Sequence, residues 1–134
     1  MMHSVVQNTA AVLLSVIGLS YLVRHRHWAA WHSAVCTRGP AGLLPVTLCV
    51  LTAGAVIVSC HNVWTGIPAI LTSLGWSLVL KAGVALVFPD MALSGMARVT
   101  PAHSRLLWLP GSIMLAIGIL LVWSLYTRET GPLP

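Results

Sequence analysis

The chain has 134 residues, of which 57% are hydrophobic types and only 7% are charged. Soluble domains carry roughly 25% charged residues to cover their surface, so two acidic and seven basic residues exclude an ordinary soluble fold. The net charge of +5 comes from basic residues placed between apolar stretches. This placement indicates membrane topology and contact with anionic lipid headgroups, and it argues against a nucleic-acid partner.

Four apolar stretches cover residues 5–23, 43–63, 67–88 and 106–126. Each approaches the roughly 20 residues that a helix needs to cross about 30 Å of hydrocarbon, and none alternates as a barrel strand would. No Lys or Arg precedes the first stretch, so we expect a retained helix there and no cleaved signal peptide. The sequence predicts an all-α membrane protein, with four transmembrane helices in a small bundle that forms one domain over residues 1–134.

Basic and aromatic residues fill the connection between the first two stretches. Arg24 and Arg26 come first, and an apolar face then recurs at i, i+3, i+4 and i+7. The members of this face are Trp28, Trp31, His32 and Val35. The spacing predicts a short amphipathic helix in the interface, with Trp28 and Trp31 toward the lipid and Arg24 and Arg26 toward anionic headgroups.

The second and third stretches are separated by a short turn. Gly66 can adopt a positive φ and Pro68 can start the next helix, so we expect a tight antiparallel hairpin. Pro89 follows Phe88 and should end the third helix, because proline does not continue a helix comfortably.

The distribution of Lys and Arg predicts the orientation. The basic residues outside the apolar stretches are Arg24, Arg26 and Arg38 in the first connection, Arg98 and Arg105 in the third, and Arg128 in the tail. By the positive-inside rule, the loops 24–42 and 89–105 should face the cytoplasm, with both termini and the hairpin turn outside.

An offset of 57 residues suggests an internal repeat. It aligns Ser15, Gly18, Ser20 and Arg24 with Thr72, Gly75, Ser77 and Lys81. The second and fourth stretches share less, chiefly Leu51 and Gly54 against Leu115 and Gly118. A weak two-fold repeat of 5–63 on 67–126 is one interpretation, and chance similarity between apolar helices is the other.

Lys81 is the only charged residue in the four apolar stretches. An ionisable residue within a span is costly and therefore marks a functional hypothesis. Its long stem can also snorkel to the nearby interface, and a third interpretation is contact with a lipid headgroup or another anion. In a transporter, Lys81, Ser77 and His61 would line the path.

His61, Asn62 and Trp64 close the second stretch. Trp64 suits an interfacial belt position, and His61 and Asn62 can hydrogen-bond the free carbonyls of the helix end. The alternative is a ligand-binding or proton-handling site. A haem held between His61 and His3 is a weaker hypothesis, because one of the two histidines lies in the tail.

No catalytic set emerges from the sequence. An acidic pair, a phosphate loop and a nucleophile triad are all missing, and the three cysteines are dispersed without a Cys-x-x-Cys pair. A zinc site of His32, Cys36 and either His27 or His103 lacks a metal-binding signature. We therefore expect no catalytic, cofactor-binding or metal-binding residues.

Four short motifs follow one another in the middle of the chain: HNVWTG at 61–66, LGW at 74–76, KAG at 81–83 and FP at 88–89. This series resembles a group of uncharacterised small bacterial inner-membrane proteins with four predicted spans. The chain departs from that pattern at Ala82, where a glycine is expected directly after the lysine. The resemblance implies the architecture and a bacterial inner membrane, and it carries no activity.

A bundle of about 130 residues is thin, so we expect self-association or docking onto a larger membrane protein. The leading hypothesis is a small accessory or interaction subunit of the inner membrane, in contact with lipids and with such a partner. The alternative is a subunit of an oligomeric channel or of a transporter for ions or small solutes. A haem- or metal-binding membrane protein is the least favoured hypothesis.

Overall fold

The computed structural model describes residues 2–129, and within this range the chain is all-α. Six helices follow one another: α1 (Met2–Val23), α2 (His25–Thr37), α3 (Pro40–Cys60), α4 (Pro68–Val87), α5 (Pro89–Ala97) and α6 (Trp108–Glu129). A short 3-10 segment, Pro101–Leu107, precedes α6. The four long helices α1, α3, α4 and α6 coincide with the four apolar stretches.

Four helical segments are long and apolar enough to cross a bilayer. They are Ser4–Val23, Pro40–Cys60, Pro68–Val87 and Ala102–Thr127. Most of their surface is not covered by the rest of the chain, as expected when lipid is the solvent. The chain is therefore a multi-pass membrane protein, and the predicted fold class is confirmed.

The long helices form two antiparallel pairs. α1 packs along α6 and α3 packs along α4, whereas contacts between the two pairs are sparse. The predicted hairpin is confirmed: residues 61–67 are non-helical, Gly66 has φ +66° and Pro68 begins α4. We call the end that carries α2, α5 and the 3-10 segment the basic end, and the opposite end the hairpin end.

The connections at the basic end contain more helix than the sequence suggested. The predicted amphipathic helix is present as α2. The segment after Phe88 was expected to be a polar loop, but it forms α5, with Pro89 in its first turn and Asp90 close behind. Proline is favourable at a helix start, and a carboxylate there interacts well with the helix dipole.

The two pairs make equivalent close contacts. A Cβ added at Gly54 would lie 2.9–3.0 Å from its three nearest atoms in α4, and one at Gly111 would lie 2.9–3.5 Å from its nearest atoms in α1. The neighbours of Gly54 are Gly75, Leu78 and Val79, and those of Gly111 are Gly18, Tyr21 and Leu22. Each residue of one set lies 57 positions from its counterpart in the other. In this alignment the counterpart of Gly54 is Gly111 and not Gly118, with which the sequence comparison paired it. The repeat stays a prediction, and duplication of a two-helix unit would produce this equivalence.

Candidate functional sites

The hairpin turn is fixed by a hydroxyl group at its centre. Thr72 is fully buried in α4, and its Oγ1 accepts a hydrogen bond from the Val63 amide at 3.1 Å. The same Oγ1 lies 2.8 Å from the Val63 carbonyl oxygen and 3.0 Å from that of His61, and it donates its single proton to one of these two acceptors. Thr72 thus satisfies backbone groups that the end of α3 leaves free.

The predicted residues of the turn do not form one site. His61 is buried, with 1% of its surface exposed. Asn62 is exposed, and its Oδ1 accepts a hydrogen bond from the Trp64 indole at 2.6 Å. Trp64 is itself 61% exposed. Asn62 therefore holds the Trp64 ring, whereas Thr72, which the sequence did not indicate as a site residue, binds the free carbonyls.

The outward face of α4 carries a polar stripe, which we define as Ser73, Ser77 and Lys81. The three residues are exposed and lie one turn apart on a single face of the helix. Both serine hydroxyls donate to the carbonyl four residues earlier, Ser73 to Ala69 at 2.9 Å and Ser77 to Ser73 at 2.8 Å. The structure therefore brings Ser77 and Lys81 together and leaves His61 away from them, beneath the turn.

Apolar side chains border this polar stripe. Trp76 is 49% exposed, Leu80 is 71% exposed and Val84 is 43% exposed. This face of α4 therefore presents one cation and two hydroxyls within an apolar surround.

Lys81 lies close to α2 at the basic end. Burial lowers the pKa of His32 from its ordinary value, and the positive charge of Lys81 lowers that pKa further. The ring of His32 packs edge-on against Trp31, with centroids 5.2 Å apart. Neither ring nitrogen of His32 has a hydrogen-bond partner among the described residues, so its surroundings favour the neutral form.

The predicted lipid-contact residues divide into two kinds. Arg24 and Arg26 are exposed. Trp28 instead packs against the end of α1, where its indole donates to Ser20 Oγ at 3.0 Å and its ring stacks on Tyr21 at 4.3 Å. Trp28 therefore closes the α1–α2 corner.

The face of α2 that packs against the rest of the chain differs from the face that was predicted to contact lipid. Its buried residues are Ala29 and Val35, whereas Trp31 is 41% exposed at the edge of the face. The small side chain of Ala29 lets the helix lie closely on its neighbours, which the larger Trp31 could not do.

A groove opens at the basic end between the start of α2 and the start of α6. Its volume is about 940 Å³, and it is lined by His25, Arg26, Ala102, Ser104, Arg105 and Trp108. His25 Nδ1 lies 3.3 Å from the Leu22 carbonyl oxygen. Because a carbonyl only accepts, Nδ1 carries the proton and the ring is held edge-on to Trp108, with centroids 6.0 Å apart.

A second groove, of about 430 Å³, lies between α2 and α3. Its lining residues are Trp31, Ala34, Val35, Arg38, Ala41, Gly42 and Pro45. Its lining contains one arginine, whereas the groove at the start of α6 contains two, so this groove carries less positive charge.

No group of three His, Cys, Asp or Glu side chains that could hold a metal ion occurs in the described part of the chain. Cys36 lies against α5 instead, with its Sγ 3.9 Å from the Leu93 carbonyl oxygen. The side chain of His3, invoked for the haem hypothesis, lies outside the described residues.

Comparison of the chain with protein-family models, with curated proteins and with solved structures finds no match. The resemblance to small four-span inner-membrane proteins therefore stays an expectation.

Proposed function

We propose that this chain is an accessory subunit of a bacterial inner membrane, which associates with another membrane protein or with a second copy through the outward face of α4. The observation that carries the proposal is the polar stripe Ser73, Ser77 and Lys81, exposed on that face.

The cost of a charge in hydrocarbon supports this proposal. Lys81 has no acidic residue within any apolar stretch to neutralise it, and an ionisable group in a span usually faces protein or a water-filled cavity. Serine hydroxyls are common at helix–helix contacts in membranes, where small polar residues permit close approach and hydrogen bonding. A partner helix over the stripe would cover all three residues at once.

The thinness of the bundle adds to this support. The two helix pairs have sparse contacts with each other, so much of each long helix is available for a partner. In a membrane such a partner adds packing and polar contacts, because lipid already solvates the apolar surface.

Lys81→Met tests the proposal. In membranes extracted with a mild detergent, we expect the wild-type chain to migrate on a native gel as a discrete complex larger than the monomer. Loss of one polar contact worth about 1–2 kcal/mol should weaken that complex roughly tenfold in Lys81→Met. Arg98→Met removes one exposed cation at the basic end and should leave the complex intact.

A wild-type chain that migrates as a monomer would contradict association itself. If the Lys81→Met complex were as stable as the wild-type complex, Lys81 would only snorkel to the interface, and the polar stripe would not be part of the contact.

The orientation within the proposal has its own test. The basic end should face the cytoplasm, so a phosphatase that is active only in the periplasm should be inactive when fused after Asp90. Phosphatase activity in that fusion would reverse the topology.

Transport is the second candidate, and the same stripe favours it. In a ring of copies, Ser77 and Lys81 would face a central path, and the lysine charge would favour anions. His61 would not take part, because it is buried under the turn. Anion flux through vesicles containing the purified chain, abolished by Lys81→Met, would favour this candidate over an accessory subunit.

A further inference from the structure

The groove lined by Arg26 and Arg105 has a positive charge, a position in the membrane and a size that suit one class of ligand. We propose that it binds the phosphodiester group of an anionic phospholipid. This inference rests on the membrane location of the chain and is independent of the proposed partner contact at α4.

The charge of the groove selects an anion. Arg26 comes from α2 and Arg105 from the 3-10 segment, so two separate parts of the chain contribute a guanidinium group to one groove, and none of the six lining residues is acidic. Arginine presents paired N–H donors that match phosphate oxygens. Ser104, only 5% exposed, adds a hydroxyl group to the lining.

The position of the groove along the membrane normal places that anion at the headgroup layer. α1 ends at Val23 and α6 begins at Trp108, so the groove lies level with the ends of two apolar helices. Tryptophan is enriched at this level of a membrane, and basic pockets between spans at the membrane surface are typical headgroup sites.

The surroundings favour a lipid over a free phosphate ion. Leu106 and Leu109 flank the groove along the chain and are 56% and 71% exposed, which gives acyl chains an apolar surface beside the phosphate. A groove of about 940 Å³ also has room for the glycerol and headgroup around the phosphate.

This site differs from the lipid contact that the sequence predicted. Of the four residues expected to contact lipid, only Arg26 lines the groove. Arg105, Ser104 and His25 join it because the 3-10 segment packs against α2, a contact between residues about 80 positions apart that no local pattern reveals.

Titration with short-chain lipids tests the proposal. The full chain, purified in an uncharged detergent, is titrated with dioctanoyl phosphatidylglycerol and with dioctanoyl phosphatidylcholine, and bound lipid is counted by native mass spectrometry. We expect one phosphatidylglycerol per chain, with saturation. Arg26→Gln and Arg105→Gln should each weaken binding by about fivefold, the effect of one arginine near an anionic headgroup.

Arg98→Gln is the matched control, because Arg98 is an exposed arginine of the same connection that does not line the groove. It should change binding by less than about twofold. The two groove variants lie in different elements, and circular dichroism of each should show the helix content of the wild type.

Three results would overturn the proposal. Equal binding of phosphatidylglycerol and phosphatidylcholine would exclude selection of an anionic headgroup. An equal loss of lipid binding in Arg98→Gln and Arg105→Gln would show that the general positive charge of the surface, and not a defined site, holds the lipid. Displacement of the lipid by inorganic phosphate at similar concentration would assign the groove to a soluble anion.

Discussion

The two helix pairs are held together by similar glycine contacts but differ in the polar residues that they carry. α1 and α6 are the first and last helices, and they meet through backbone at Gly18, Gly111 and Gly118. α3 and α4 follow each other in the chain and share the same kind of glycine contact. They also carry the polar stripe with Lys81 and the Thr72 clamp, by which we mean the hydrogen bonds of the Thr72 hydroxyl to the backbone of His61 and Val63. The outward faces of α1 and α6 contain no charge along their apolar stretches.

This difference distinguishes residues that pack the helices of a pair together from residues that are available to a partner. Close glycine contacts hold both pairs together, because lipid gives helices no hydrophobic reason to associate and small residues let backbones approach. Of the four apolar stretches, only the one that forms α4 also contains a charged residue, and that residue is exposed. The α1–α6 pair therefore serves as scaffold, and the α3–α4 pair carries the surface on which the proposed function depends.

The largest expected effect comes from filling the closest contact of the scaffold pair. In Gly118→Ala the new Cβ would meet Ser15, whose backbone nitrogen would lie 2.8 Å away, and the Ala11 carbonyl oxygen at 3.1 Å. Backbone atoms cannot move aside cheaply, so we expect a loss of about 1–3 kcal/mol in the free energy of unfolding, measured by denaturation in micelles.

Gly83→Ala is the control for that change. A Cβ at Gly83 meets nothing within 4 Å, and alanine is a better helix former than glycine by about 0.5–1 kcal/mol. This variant should be slightly more stable than the wild type. Equal destabilisation by both substitutions would show that α1 and α6 do not meet as described.

The clamp of the α3–α4 pair should break next. Thr72→Val keeps the shape of the side chain and removes the hydroxyl that accepts from the Val63 amide and donates to the carbonyl of Val63 or His61. Leaving such buried backbone groups unpaired costs about 1–3 kcal/mol. Hydrogen exchange should also be faster at the Val63 amide.

Thr52→Val provides the comparison for the clamp. The Thr52 hydroxyl is exposed and bonds only to the Leu48 carbonyl of its own helix, at 2.8 Å, so its loss should be nearly neutral. If Thr72→Val were equally neutral, the turn would be held by Gly66 and Pro68 alone.

The smallest effect concerns pH. The pKa of His32 is lowered by burial and by the charge of Lys81. As the pH falls, His32 therefore takes up a proton at a higher pH in the unfolded chain than in the folded chain. Folding stability should therefore be complete near neutral pH and decline in mild acid. Because His32 is partly exposed, solvent screening keeps the loss below about 1 kcal/mol.

Melting curves in detergent between pH 7.5 and 5 test this expectation. His32→Gln should reduce the slope of melting temperature against pH, whereas His27→Gln, at an exposed position of α2, should leave it unchanged. A slope that is the same in both variants would remove His32 from the effect.

The fold was predictable where a local signal existed. Apolar length alone determines the four long helices, and Gly66 followed by Pro68 determines the hairpin. The pairing of α1 with α6 had no such signal, since no turn joins these helices. Lipid-facing and buried faces of a span are also both apolar, so periodicity does not distinguish them.

The candidate sites were predictable only in part. Lys81 was evident as the lone charge of the apolar stretches, and the structure places it beside Ser77. Thr72 was missed because a threonine in an apolar helix gives no sign of the backbone it will meet. The partnership of Arg26 and Arg105 depends on tertiary packing of the 3-10 segment against α2.

The central claim, that α4 carries the interaction surface and α6 does not, is tested most directly by photo-crosslinking in native membranes. A benzophenone amino acid replaces Ser77 in one variant and Ile119, an exposed residue of α6, in the other. We predict a discrete crosslinked protein product from position 77 and none from position 119. The same product from both positions, or none from position 77, would contradict the account.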